Sequence, residues 1–230
     1  MAKHVFTDEE LLARVWEKEE IKKTAHKRVY YLANNWRERE LSELWTEERA
    51  DTASFGSNTG FYVGKESIKK WYIAKDWSLG CLVSKPLSTC VLELAEDGNT
   101  ARGIWYSIGQ ETNPTRAMWI SGKVAIDFVK ENGRWLIWHL IEENDLSCEA
   151  GQDFRDREPY WYPEKCPVAV DFGIPDVAVL THDPNFNWWD GFPKVPEPYE
   201  SFDPRNSYGP EGFELPWDKG LNIGEGRNWR

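Results

Sequence analysis

The chain of 230 residues is 40% hydrophobic and 14% aromatic, enough to bury one substantial core without requiring a second full domain. With 39 acidic residues against 28 basic ones its formal net charge is -11, which argues against a nucleic-acid or anionic-membrane partner, since neither offers positive charge for such a surface to meet. The four cysteines, Cys81, Cys90, Cys148 and Cys166, include no CxxC pair; with a polar amino terminus and no bilayer-length apolar run, a reduced cytoplasmic setting is expected.

Thr7-Asp8-Glu9-Glu10 has the form of a helix capping box. Leu11, Leu12, Val15 and Trp16, then Ile21, Ala25, Val29 and Leu32, follow at helical spacing, which predicts a long first helix with a break near Glu19. A second helix is predicted from about Arg37 to Glu47. Asp51 to Tyr62 reads as extended chain punctuated by Gly56 and Gly60, and Gly64-Lys65-Glu66-Ser67 opens a third helix through about Asp76. Leu87 to Leu94 is a strand, followed by a turn at Glu96-Asp97-Gly98-Asn99. Ala101 to Ile141 reads as three long antiparallel strands, apolar at nearly every position, so their sheet requires cover on both faces.

His139 is the one histidine set inside such an apolar strand. The two-residue period places it on one face with Trp135 and Ile137, and Leu136, Trp138 and Leu140 on the other. A titratable group among aromatic side chains fits a small-molecule site, and equally a hydrogen-bonded core histidine. After Leu146 the composition changes: eleven of the thirteen prolines lie there, interleaved with Trp161, Trp188, Trp189, Trp217 and several tyrosines. So many large rings predict an ordered, irregular wrap that packs on the domain or on a neighbouring subunit. The expected division is a domain over residues 1–146 and an extension over residues 147–230.

Five groups of residues carry a family resemblance. They are Glu20-Ile21-Lys22 with Trp36; Leu44-Trp45-Thr46-Glu47-Glu48; Gly60 with Gly64-Lys65-Glu66-Ser67-Ile68; Asp97-Gly98-Asn99-Thr100-Ala101; and Gly133-Arg134-Trp135-Leu136-Ile137. In this order, from about Asp8 to Asn144, the chain resembles the NTF2-like superfamily and its SnoaL-like branch. That branch includes scytalone dehydratase, bile-acid dehydratase and aryl-substrate lyases. The resemblance implies an α+β cone, with long amino-terminal helices packed on a strongly curved antiparallel sheet around an apolar cavity. It also implies homodimers or homotrimers and proton-transfer chemistry with no metal or organic cofactor.

Within that cone the expected catalytic residues are His139 as general base or acid, Tyr30 as donor to a leaving oxygen, and Asp51 as an orienting carboxylate. Asp51 also reads as a turn or cap residue. The resemblance places Lys85 where several enzymes of the branch carry a histidine base, although a solvated lysine at a strand end fits the sequence as well. Tyr31, Lys85, Tyr106, Arg116, Trp119, Val124 and Ile126 complete the expected substrate-binding set, and Glu142 and Glu143 follow His139 as candidates to orient its ring or to face solvent. The expected function is a cofactor-independent lyase, a dehydratase or a retro-aldol type eliminase, acting on a hydroxylated aromatic or polycyclic substrate. An isomerase of the same substrates or a non-catalytic binding module are the alternatives.

Overall fold

The computed structural model describes residues 5–58, 60–74, 82–113, 116–152, 175–178 and 193–212. Helix α1 spans Asp8–Ala33 without a break at Glu19. Its capping box forms as predicted: Glu10 N donates to Thr7 Oγ1 at 3.3 Å and Thr7 N to Glu10 Oε2 at 2.7 Å. The buried stripe is Ile21, Ala25, Arg28, Tyr31 and Leu32, so an arginine occupies the place among apolar residues expected for Val29. Leu11, Leu12, Val15 and Trp16, expected on the packed face, stay exposed. Helix α2, Arg37–Glu43, ends one turn before the predicted Glu47, and α3 covers Lys65–Ala74.

Strands β1 (Ser54–Ser57) and β2 (Gly60–Val63) form a short hairpin, followed by β3 (Val83–Ser84) and β4 (Leu87–Leu94). The three predicted long strands are β5 (Thr100–Asn113), β6 (Arg116–Glu131) and β7 (Arg134–Glu149); the last crosses the expected boundary at 146. With β8 (Val177–Ala178) they make one sheet in the order β3-β5-β6-β7-β1-β2-β8, with β4 also paired to β5. All pairs are antiparallel except β1 with β7, so the fold is α+β with a mostly antiparallel sheet. No described helix is long and apolar enough to cross a membrane.

The sheet is covered on both faces, as its apolar strands demand. On the helix side, Ile21 and Ala25 of α1 pack with Trp105, Val124, Ile126, Phe128, Trp135, Ile137 and Leu140. On the other side, Ile104, Ala125, Ile141 and Phe61 pack with Tyr208 of the carboxy-terminal segment. That segment, residues 193–212, lies across the sheet as a strap. It is fixed to the β4–β5 turn where Glu96 N donates to Tyr199 O at 3.0 Å and Asp97 N to Glu200 O at 3.1 Å. Tyr199 adds a hydroxyl contact to Thr100 Oγ1 at 3.2 Å.

Two bulges interrupt the β6–β7 register, one at Ser121/Gly122 and one at Asp127/Phe128. Asp127 pairs with His139 and Phe128 with Ile137, so Trp138 is an extra residue on β7. The bulge corrects the two-residue reading: Trp135, Ile137 and Leu140 belong to the helix-side core, and His139 lies on the strap side with Ile141.

At the other bulge, a Cβ on Gly122 would stand 1.9 Å from the Glu143 carbonyl oxygen, a backbone atom that cannot move aside alone. Gly122→Ala is expected to cost about 2 kcal/mol of stability through this overlap, measurable as a lowered urea midpoint. An unchanged midpoint would refute the close approach.

Candidate functional site

Six segments deliver ionisable or phenolic side chains to one buried place on the helix side. Arg28 comes from α1, Glu40 from α2, Tyr72 from α3, Lys85 from the link between β3 and β4, Glu111 from β5 and Glu142 from β7. Arg28 Nε donates to Glu40 Oε1 at 3.1 Å and Arg28 Nη2 to Glu142 Oε1 at 2.6 Å. Lys85 Nζ lies 3.4 Å from Glu111 Oε2 and 3.6 Å from Glu142 Oε2. Tyr72 OH donates to Glu40 Oε1 at 2.9 Å, and Trp45 Nε1 donates to the same oxygen at 3.3 Å. Glu40 Oε2 is buried with no hydrogen-bond partner. Phe55 and Trp71 pack on Tyr72 with centroids 5.6 and 5.3 Å away and stack on each other at 4.3 Å, and Tyr72 shares its apolar core with Trp105 and Phe128.

The electrostatics follow from burial opposed by pairing. Burial pushes the Glu142 carboxyl up, but the charges of Arg28 and Lys85 outweigh it and hold the group at about 2. Burial pushes Lys85 down, and Glu142 with Glu111 more than restore it, so its ammonium titrates above the ordinary lysine value. Tyr72 is raised by burial and by Glu40, which keeps its phenol neutral. At neutral pH the site therefore presents fixed cations, a phenolic donor and carboxylate acceptors at close range in a largely apolar setting. Among the described residues no three His, Cys, Asp or Glu side chains are grouped to hold a metal ion.

A second polar group lies under the strap. His139 Nδ1 is 2.9 Å from Asp127 Oδ2, and that oxygen also accepts from Tyr208 N at 2.6 Å. Arg102 Nε faces Asp127 Oδ1 at 3.3 Å. The His139 ring stacks on Trp138 at 4.4 Å, with Phe202 of the strap at 6.1 Å. Gly209 passes so close that a Cβ there would lie 3.0 Å from the imidazole carbons.

The residues expected from sequence distribute over several surfaces. His139 is 2% exposed beneath the strap, whereas Tyr30 is 69% exposed on the outer side of α1. Asp51 is also exposed and lines an open groove of about 920 Å³ with Glu38, Arg39, Lys65 and Lys69. The structure therefore does not bring His139, Tyr30 and Asp51 together. Lys85, Val124 and Ile126 do lie on the helix side, as does Tyr31, whose hydroxyl donates to Glu43 Oε2 at 2.6 Å. Tyr106 and Trp119 are exposed, and the Arg116 side chain lies outside the described residues. Of the two glutamates after His139, Glu142 joins the cluster and Glu143 accepts from Asn58 Nδ2 at 3.0 Å. Arg28, Glu40, Tyr72 and Glu111 went unrecognised. Arg28 left a signal, since it stands seven residues after Ile21 and four before Leu32, squarely in the apolar stripe.

The profile of the SnoaL-like domain matches residues 13–141, more than half of the chain. This protein belongs to the SnoaL-like domain family. No curated protein matches the sequence. Among solved structures, the SnoaL-like chain is similar to LinA-type3 hexachlorocyclohexane dehydrochlorinase from Novosphingobium barchaimii, at 14% identity and a TM-score of 0.52 over 62% of this chain and 95% of that one. It is also similar to a candidate scytalone dehydratase from Novosphingobium aromaticivorans, at 13% identity and 0.51 over 61% and 91%. A third similar structure is a protein of unknown function from Mycobacterium tuberculosis, at 15% identity and 0.50 over 59% and 76%. At these identities the likeness establishes the fold.

The depressed Glu142 carboxyl makes a pH-dependent contribution to stability. Its folded value of about 2 lies below the ordinary 4.5, so the contribution is complete above pH 4.5 and is lost as pH falls toward 2. Its size is on the order of 3 kcal/mol. Urea unfolding between pH 5 and 2.5 is expected to show a loss of stability that Glu142→Gln flattens, and identical pH slopes would refute the pairing.

Proposed function

We propose that this protein is a cofactor-independent lyase that works by proton transfer on a hydroxylated aromatic or polycyclic small molecule held between the helices and the sheet. The observation that carries the reading is the convergence of Arg28, Glu40, Tyr72, Lys85, Glu111 and Glu142 in one buried, aromatic-lined place. Elimination requires an acceptor for one proton and a cation or acid at the departing group. Elimination is also the chemistry named for two of the fold relatives, a dehydratase and a dehydrochlorinase.

In this reading Glu40 Oε2, the carboxylate oxygen left without a partner, accepts the proton. Lys85, held only by contacts of 3.4 and 3.6 Å, turns toward the leaving oxygen and supplies charge and a proton to it. Loss of water takes the proton from carbon as the C–O bond breaks. A retro-aldol cleavage takes it from a hydroxyl, which becomes a carbonyl as the C–C bond breaks; the electron pair passes to the substrate's conjugated carbonyl oxygen, and Lys85 supplies charge and a proton there. Glu142, at about 2, is too weak a base for either and instead fixes Arg28 and Lys85. Tyr72 holds Glu40 in place through its neutral hydroxyl. The proton work falls to these residues rather than to His139, Tyr30 and Asp51, which occupy separate surfaces.

A second reading has its own support. The cations Arg28 and Lys85 are paired with Glu40, Glu111 and Glu142, the charge of Arg37 also acts on Glu142, and such a balanced cluster also suits a module that binds a ligand without converting it. An isomerase would use the same groups and leave the substrate mass unchanged.

Mass spectrometry of hydroxylated aryl, diaryl and sterol compounds incubated with the protein separates the readings. Loss of water or of a small aldehyde is expected. Glu40→Gln and Lys85→Met should each lower kcat by about 100-fold or more while circular dichroism stays unchanged. Compounds retained but returned intact would establish the binding module, and products of equal mass an isomerase.

A further inference from the structure

The polar group under the strap has an order that the helix-side cluster does not use. Backbone register places Arg102 of β5 opposite Asp127 of β6, Asp127 opposite His139 of β7, and His139 beside Ser54 of β1. Register partners on neighbouring strands lie on the order of 5 Å apart and share a face, so Arg, Asp, His and Ser form one row across four strands. Phe55 and Leu140, the next register pair, both belong to the helix-side core, which confirms that Ser54 and His139 face the strap. The Trp138 bulge creates this alignment by turning His139 away from Ile137.

Arg102, Asp127 and His139 are coupled in turn, while Ser54 Oγ makes no hydrogen bond to the ring under the closed strap. Arg102 pairs with Asp127, and Asp127 accepts from the His139 ring at Nδ1, 2.9 Å away. A proton held on Nδ1 leaves the lone pair on Nε2, the nitrogen that acts as a base. Ser54 is fully buried, and its Oγ has no hydrogen-bond partner. A buried hydroxyl left unsatisfied is costly, and here it stands next to the only described histidine that an aspartate orients.

We propose that Ser54, His139 and Asp127 form a second catalytic site, a nucleophilic esterase centre covered by the carboxy-terminal strap. Ser54 Oγ attacks the carbonyl carbon of an ester as its proton passes to His139 Nε2. The carbon–oxygen bond to the alcohol then breaks, and the imidazolium returns its proton to the departing oxygen. Water repeats the sequence on the acyl-serine and releases the acid. Asp127 positions the imidazole and stabilises its charge. The rings of Trp138 and Phe202, 4.4 Å apart, flank the row and favour an aryl ester of a small acid. Access requires the strap to lift, which breaks the hydrogen bond from Tyr208 N, the packing of Phe202 and Gly209 on the imidazole, and the stacking of Arg102 on the Tyr199 and Tyr208 rings.

The test is covalent labelling of the full chain with a fluorophosphonate probe, mapped by peptide mass spectrometry, with p-nitrophenyl acetate hydrolysis in parallel. A single adduct on Ser54 is expected. Phe202→Ala should speed its formation by loosening the cover, and His139→Ala in that background should slow it by about 100-fold or more. Ser54→Ala removes an unpaired hydroxyl without adding volume, so it should fold normally, take no label at this position and lose the esterase activity. No adduct on Ser54 in either the natural chain or Phe202→Ala, or an adduct whose rate ignores His139, would overturn the proposal.

Discussion

The central strands are buried on both faces, so every polar side chain they carry must find its partner inside the protein. Two of the polar assemblies that answer this constraint lie one under the helices and one under the strap. Both depend on β7, which sends Glu142 to one and His139 to the other. The strand reaches both faces in the required sequence only because Trp138 is bulged. A regular strand would put His139 with Ile137 against the helices and leave Asp127 without its ring partner.

The two assemblies differ in how their charges are stabilised. In the helix-side cluster, cations and carboxylates alternate from Glu40 through Arg28, Glu142 and Lys85 to Glu111, and the pairing offsets a large desolvation cost. Such an arrangement contributes little net stability compared with a wholly apolar interior, but removing one partner leaves an uncompensated buried charge. Under the strap, Arg102 pairs with Asp127, and rings and backbone of the strap pack around them. The strap thus acts as the solvent shield for one face of the sheet, as the helices do for the other.

Membership of the SnoaL-like family accounts for the frame of helices on a sheet and leaves its use open, because the fold alone does not decide function. The family match ends at residue 141, whereas the strap lies at 193–212. The face of the sheet that this segment covers is therefore a feature of this chain beyond the matched domain. Lys85 takes the place where the resemblance implies a histidine base, and Glu111 and Glu142 lie beside it.

Much of the architecture was legible in local sequence. The capping box starts α1 where Thr7 and Glu10 predict, and the continuous apolar runs announce a sheet covered on both faces. The prolines and aromatics after residue 146 announce a packed segment rather than a helix, as residues 193–212 display. The site was less legible for a physical reason. Glu40 and Glu142 look like ordinary surface charges until the helices and β7 are folded together, and Arg28 shows only its place in the apolar stripe, since pairing between residues 12 and 114 positions apart leaves no local record of the partner. The identity of His139 as a buried histidine came from its apolar neighbours, but its face came from the bulge. One inserted residue reverses a two-residue period, and only the tertiary pairing of β6 with β7 determined where that residue would be.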